Sequence, residues 1–460
     1  MMLRMDLGEL ARAAEAKVIG GELPIDVTAV STDSRTLPSS ALFVALRGEN
    51  FDGHDFLQKA LEHGACALVV EQECDVDPAV PQLVVENALS SLGEMAAHVR
   101  SHMQGPVVAV TGSNGKTTTK EMIAEVLSTQ FDVLRTSGNY NNLIGLPLTL
   151  FELEAHHNAA VLEMGMNVPG EIERLTQIAE PTIALITNVA GVHLAGLGSI
   201  EGVAKAKGEL FKQLNTDAIA IINREDPLIK SICASYLHGQ QQINFGFGNT
   251  CDVQISDVRV AQNATYARLR IESTSFDLRL PLVGYHHALN AASAAAVGLA
   301  AGVPGERTVE ALERVEVPGG RFKIREIEAK GLVVVDDTYN ANPASMQAAF
   351  MTLAQLPANR RVAVLGDMYE LGEESNAEHV EVGRALAQHA FDALVAVGGF
   401  SEHLAAGASA AGVDAHAFEN VEDAKTFLDD FLREGDWVLV KGSRGMKMER
   451  IVDGLLRGQA

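Results

Sequence analysis

The run VVAVTGSNGKTTTKE, from Val107 to Glu121, limits the possible folds of this chain more than any other segment. Its first four residues are apolar and mostly β-branched, which reads as a strand covered on both faces. TTTKEMIAEVLS follows, with Met122, Ile123, Val126 and Leu127 at helical spacing. Gly112, Ser113, Asn114, Gly115, Lys116, Thr117 and Thr118 therefore fall at a strand-to-helix turn. Free backbone N–H groups and the positive end of the helix dipole make such a turn an anion site. The usual phosphate loop is G-x-x-x-x-G-K-[ST], but here position 110 is valine and the nearer glycine, Gly112, stands three residues before Gly115. We read the turn as a shortened phosphate loop, with Val110 ending the strand. The glycines allow close backbone approach, Lys116 can reach the terminal phosphates of a nucleotide, and Thr117 can ligate Mg²⁺.

The chain has 460 residues, which at about 100–200 residues per domain suggests three domains, with two or four as alternatives. Texture places the boundaries at 1–103, 104–317 and 318–460. The first stretch mixes short strands (ALFVAL, CALVVE, QLVVE) with helices, including one expected within MMLRMDLGELARAAEAK, and reads as a small α/β domain. In the second, VVAV, AAVLEM, TIALITNV and AIAIIN alternate with helical patterns, as a mostly parallel sheet requires. From Gln241 the runs shorten and alternate, which reads as an antiparallel addition, followed by the helix HALNAASAAAVGLAAG. The third stretch repeats strand–helix units through LVVVDD, RVAVLGD, ALVAVGG and WVLVKGS, a Rossmann-like α/β pattern. Polar residues follow each of these strands, where ligands of open α/β sheets bind.

A net charge of −24 without a long basic run argues against a nucleic-acid surface. It does not exclude a nucleotide, because a small phosphate site can be locally positive. The four cysteines form no C-x-x-C pair, which suits a reducing compartment. No apolar run nears the roughly 20 residues that span a bilayer, so no membrane insertion and a cytoplasmic location are expected.

Glu163 ends the strand AAVLEM, and His193 follows TIALITNV in a glycine-rich loop. Taken alone, such a glutamate is more often a cap or surface group, and such a histidine is more often solvated. By pattern alone Lys207, in AKGELF, reads as a surface lysine.

The order TGSNGKTT, GNYNNLIGLP, EMG, TNV…H, AKGE, GYHHALN, PGGR, DDTYNANP resembles the Mur ligases across essentially the whole chain. These are ATP-dependent amide-forming enzymes of peptidoglycan synthesis, related to folylpolyglutamate synthetase. Within the family, STDSR, DGHDF, LGDMYELG and KGSRGMKME look most like the member that adds D-alanyl-D-alanine to UDP-N-acetylmuramoyl-tripeptide. The resemblance implies those two substrates, ATP and Mg²⁺ as cofactors, and a monomer.

It also implies roles. The backbone from Gly112 to Thr118, with Lys116, would hold the ATP phosphates. Thr117 and Glu163 would bind Mg²⁺, and His193 would help hold a second Mg²⁺ with Lys207 as its N-carbamate. Asn290 would contact adenine, Asp337 the ribose, and Arg321 the phosphates from the domain junction. Ser34 and Arg35 of STDSR, with GENFDGHDF nearby, would sit near the uridine diphosphate, although an ordinary polar loop is the competing reading. Asn139 and Asn142 would line the cleft. Tyr339, Asn340 and Asn342 would face it from the third domain, Asn342 also serving as a helix start. Lys441, Ser443 and Arg444, placed after the last strand, offer a cation for the dipeptide carboxylate. The family reads G-x-H-N-x-x-N, and here His287 stands at the asparagine. Competing readings are another ligase of this family, a folylpolyglutamate-type ligase, and a nucleotide-binding regulator that ligates nothing.

Overall fold

The computed structural model describes residues 5–48 and 50–457. Residues 1–4 of the expected N-terminal helix and Glu49 of GENFDGHDF lie outside the described residues. The helix itself is shorter than expected, Leu7–Ala13, and Asp6 caps it by accepting from the Glu9 N–H.

The architecture is mixed α/β, with one large sheet in each of three successive stretches of chain. The first has five strands between Lys17 and Val84, parallel except for the edge strand Lys17–Ile19. The second has nine strands. Third from one edge is Val107–Thr111, flanked by the parallel strands Ala159–Glu163 and Ile183–Ile186. The third has six strands, parallel except for the edge strand Lys323–Ile327.

The continuous apolar runs are buried on both faces, and alternate residues serve different cores. Val107 and Ala109 join one apolar cluster, which also holds Ile172, Leu175, Val203 and Leu210. Val108 and Val110 join another, with Met122, Ile123, Val126 and the alanines of the helix Tyr285–Ala300. The third sheet divides in the same way: Ala363 and Leu365 face one core, Val362 and Val364 the other. The first cluster also takes in Leu42, Leu83, Leu92 and Met95, so the N-terminal sheet shares its core with the central one. Arg100 fastens that junction, its buried guanidinium donating to the Ala179 and Glu180 carbonyls at 2.7 Å each.

The antiparallel addition begins later than expected. Gln241–Gly246 pairs parallel with Ile219–Asn223, and only Val253–Ala261, Ala264–Ile271 and Thr274–Leu280 form the antiparallel meander. Gln241–Gly246 lies inside the sheet but opens on two exposed glutamines, so its apolar run is short, and its pairing direction depends on its neighbour rather than its own pattern.

Candidate active site

The turn after Val107–Thr111 is held from the neighbouring strand end. The Ser113 N–H donates to the Asn188 carbonyl, and the Asn114 N–H to Asn188 Oδ1, both at 2.9 Å. Thr187 Oγ1 and Asn188 Nδ2 donate to the Asn114 carbonyl at 2.7 and 3.0 Å. Gly112 has φ +149°, and a Cβ there would sit 1.9 Å from Thr187 Oγ1, so glycine is required by the close approach. Gly115 precedes the helix Lys116–Leu127, which no side chain caps, so its first-turn N–H groups remain available to a ligand. Lys116 Nζ folds back onto the Gly112 carbonyl at 2.8 Å. Burial pushes its ammonium below the usual lysine range, against the opposing pull of the Glu163 carboxylate.

This turn forms one wall of a cavity of about 620 Å³. Ser113 to Thr118, Glu163 and His193 line it from the central sheet, with Asn290 from the helix Tyr285–Ala300. Arg321, Asp337, Tyr339, Asn340 and Asn342 line it from the third stretch. The cavity therefore lies where two sheets meet, beyond the carboxyl ends of their strands.

Glu163 is buried; its Oε1 accepts from Asn141 Nδ2 at 2.8 Å, and its Oε2 has no partner among the described residues. A buried carboxylate oxygen left open beside a phosphate loop fits a hard cation. His193 caps a short helix, Leu194–Leu197, with φ +55°, and its Nδ1 lies 2.5 Å from Glu370 Oε2. Lys207 is buried in the helix Ile200–Lys212 and lies behind the cavity wall rather than on it, so it is no surface lysine. Burial pushes its ammonium well below the usual lysine range, and the nearby charge of Lys116 adds to the effect. Among the described residues no three His, Cys, Asp or Glu side chains group together as a metal site. A cation here would draw on Thr117, Glu163, His193, a modified Lys207 and phosphate oxygens. Such a sparse protein shell suits Mg²⁺, which keeps waters and substrate oxygens.

From the third stretch, the Arg321 guanidinium lies over the Tyr339 ring, 3.7 Å from its centroid. Asn342 caps the helix Pro343–Ala354 through Oδ1 and reaches Asn114 Oδ1 with Nδ2 at 2.7 Å, so the helix start and the cleft contact are one residue. Asp337 accepts from the Phe322 N–H at 3.1 Å and pairs with Lys441 at 2.7 Å. Burial pushes the Asp337 carboxyl up, and Lys441 opposes that. Lys441 is the last residue of the strand Asp436–Lys441, not a loop residue after it, and it is buried. It lines the cavity while pairing with Asp337 and donating to the Asn340 carbonyl at 2.9 Å, which leaves one of its three N–H donors for a ligand. Ser443 is buried and accepts from the Tyr369 N–H at 2.8 Å, and the exposed Arg444 pairs with Glu449 at 3.4 Å, so Lys441 is the one of the three that lines the cavity.

Other expected residues lie apart or have second duties. Asn139 and Asn142 line the cavity, but Asn142 Oδ1 also accepts the Ile144 and Gly145 N–H groups at the start of the helix Gly145–Phe151. Ser34 and Arg35 do not line this cavity; Arg35 is exposed and bound at both ends of Asp33 (2.9 and 2.7 Å), which holds that carboxyl down at about 2. Asn290 Oδ1 lies 3.0 Å from where a Gly115 Cβ would be, flush against the loop. His287 is buried with neither ring nitrogen partnered among the described residues, and burial keeps it neutral.

Sequence reasoning alone misses three contributors to the site: Asn141, Asn188 and Glu370. Asn141 sits in the run that holds Asn139 and Asn142, and Asn188 in the TNV motif, so position offers a signal for both. Nothing local marks Glu370, whose partner is in another domain.

Three family models match the chain. They are the Mur ligase family catalytic domain at 26–103, the Mur ligase middle domain at 110–298 and the Mur ligase glutamate ligase domain at 320–444. The Escherichia coli UDP-N-acetylmuramoyl-tripeptide–D-alanyl-D-alanine ligase is 39% identical over 99% of both chains. The Bacillus subtilis protein of the same name is 36% identical over 93% of both. Among solved structures, MurF from Acinetobacter baumannii superposes with a TM-score of 0.93 at 34% identity, over 99% of both chains. MurF from Thermotoga maritima in complex with ADP gives 0.83 at 30% identity, over 94% of this chain and 98% of that one.

Proposed function

Because this chain belongs to the Mur ligase family, we propose that it joins D-alanyl-D-alanine to UDP-N-acetylmuramoyl-tripeptide, with cleavage of ATP to ADP and phosphate. We place this activity in the cytoplasm, in a monomer; no described helix is long and apolar enough to cross a membrane. The observation that carries the reading is the cavity where the phosphate loop and the open carboxylate of Glu163 meet Arg321 and Tyr339 of the third domain.

A carboxylate and an ammonium do not condense unaided. In the proposed sequence an oxygen of the tripeptide carboxylate attacks the γ-phosphorus of ATP and ADP leaves, giving an acyl phosphate. The dipeptide amine, as free base, then attacks the acyl carbon. The resulting tetrahedral intermediate expels phosphate, and the nitrogen loses its proton as the amide forms. The backbone from Gly112 to Thr118 cradles the phosphates, and Lys116 exchanges the Gly112 carbonyl for a phosphoryl oxygen. Arg321, held flat on Tyr339, offsets charge on the transferred group from the opposite side. Asn290 contacts the base and Asp337 the ribose. Thr117 and Glu163 would hold Mg²⁺, with a second held by His193 and Lys207. Bound there, Mg²⁺ supplies positive charge that lets anionic substrates meet in an acidic protein. Burial disfavours the ammonium of Lys207, and a lysine in its amine form is a nucleophile toward CO₂: a C–N bond forms, one proton leaves, and the product is an anionic carbamate suited to a metal. Ser34 and Arg35 bind the uridine-diphosphate end, Arg35 exchanging Asp33 for the diphosphate. Asn139, Asn142, Asn340 and Asn342 shape the peptide channel, and Lys441 or Arg444 takes the dipeptide carboxylate.

The decisive assay is phosphate release with ATP, UDP-muramoyl peptides and single amine donors. Release is expected only with the tripeptide and D-alanyl-D-alanine together. Release with a shorter acceptor and a single amino acid would assign another ligase of the family, and nucleotide binding without acceptor-stimulated release would assign a regulator.

Arg321→Ala is expected to lower phosphate release by about 10²-fold while shifting the melting temperature little. Its stacking on Tyr339 contributes on the order of 0.5–2 kcal/mol. Matched losses of activity and stability would make Arg321 structural.

A further inference from the structure

The loop after the strand Arg360–Gly366 is anchored at three successive residues. Asp367 accepts the Gly399 and Phe400 N–H groups, each at 2.9 Å. The Met368 N–H donates to His379 Nε2 at 2.9 Å, and the Tyr369 N–H to Ser443 Oγ at 2.8 Å. The next residue, Glu370, crosses to the central sheet. Its carboxylate lies 2.5 Å from His193 Nδ1, and its carbonyl accepts the Ala195 N–H at 3.4 Å. Both partners are non-glycine residues in the left-handed region, Glu370 at φ +66° and His193 at φ +55°. Each such residue costs on the order of 1–3 kcal/mol and persists only where surrounding contacts hold it. Here the two face each other across a domain boundary.

A carboxylate on Nδ1 places the ring proton there and leaves the Nε2 lone pair free, the arrangement a metal-binding imidazole needs. We infer that Glu370 is a positioning residue: a carboxylate of the third domain that sets the tautomer and orientation of His193 and so couples docking of that domain to metal affinity at the reaction centre. The inference rests on His193 as a Mg²⁺ ligand. It explains why LGDMYELG, a motif far from the phosphate loop in sequence, carries a strained acidic residue.

The test uses the full chain with ring-¹⁵N histidine and three variants. Glu370→Gly suits the left-handed backbone and removes only the carboxylate; Glu370→Gln keeps a neutral acceptor; His193→Gln assigns the resonance by its loss. Without metal, wild-type His193 is expected to show Nδ1 protonated and Nε2 unprotonated. Glu370→Gly should mix the tautomers, and Glu370→Gln should retain the wild-type one. The Mg²⁺ concentration for half-maximal phosphate release should rise 10–100-fold in Glu370→Gly, less in Glu370→Gln, with kcat at saturating Mg²⁺ falling less than the midpoint shifts. A wild-type ring protonated on Nε2, or an unchanged Mg²⁺ midpoint in Glu370→Gly while His193→Gln shifts it, overturns the inference and spares the metal assignment. An unchanged midpoint in His193→Gln removes the metal assignment itself.

Discussion

Lys116→Ala is expected to reduce ATP-dependent phosphate release by about 10³-fold or more, close to 4 kcal/mol of transition-state stabilisation. The ammonium lies at the mouth of the phosphate loop, where partial burial reduces the water that would screen it. Truncation to alanine also removes its hydrogen bond to the Gly112 carbonyl. A single such bond contributes on the order of 1 kcal/mol, so the melting temperature should move little while turnover collapses. Binding of ADP, followed by calorimetry, should weaken by a smaller factor than turnover, because the charge on the transferred group is greatest in transit. Near-normal turnover in this variant would remove the shortened loop from the chemistry.

The second large effect is at Lys207. Lys207→Ala is expected to lose at least about 10²-fold in turnover, with partial recovery when formate or acetate is added. A short carboxylate can enter the space vacated by the side chain and replace the anion that a carbamate provides. Lys207→Met fills that space with an apolar chain, so it should stay inactive with or without added acid. Without CO₂ it should also fold at least as stably, since a buried amine is replaced by an apolar side chain of similar length. A ¹³C carbamate resonance should appear in wild type supplied with labelled bicarbonate and be absent from Lys207→Met. Unaided activity in the alanine variant would show that no carbamate is required.

The site is partly legible in sequence. The phosphate loop can be recognised because all its determinants are local: a strand, two glycines, a lysine and a helix, all between Val107 and Leu127. Glu163 and His193 follow strand ends, where ligands of open sheets bind, but pattern alone favours a capping glutamate and a solvated histidine; the resemblance singles them out, and both line the cavity. Lys207 is not legible from pattern, because a helix's charged residue looks the same whether it faces water or the sheet; only the resemblance singles it out. Lys441 falls a residue or two from its expected place, enough to exchange a loop cation for a strand residue buried against Asp337. The short strands Val133–Arg135 and Lys323–Ile327 carry exposed or half-exposed residues and no apolar run, so their pairing can be read only from their neighbours.

By itself the sequence determined the strands, the loop and the order of chemistry-bearing motifs, because burial on both faces of a parallel strand and glycine at a close approach are local demands on residue type. The tertiary structure alone decided which distant groups meet. Asn141 turns to Glu163, Asn342 to Asn114, Arg321 to Tyr339 and Glu370 to His193. Each of these pairings depends on how one sheet is set against another or how a loop folds over it. The packing of whole apolar faces fixes those arrangements, and no short stretch of residues encodes them.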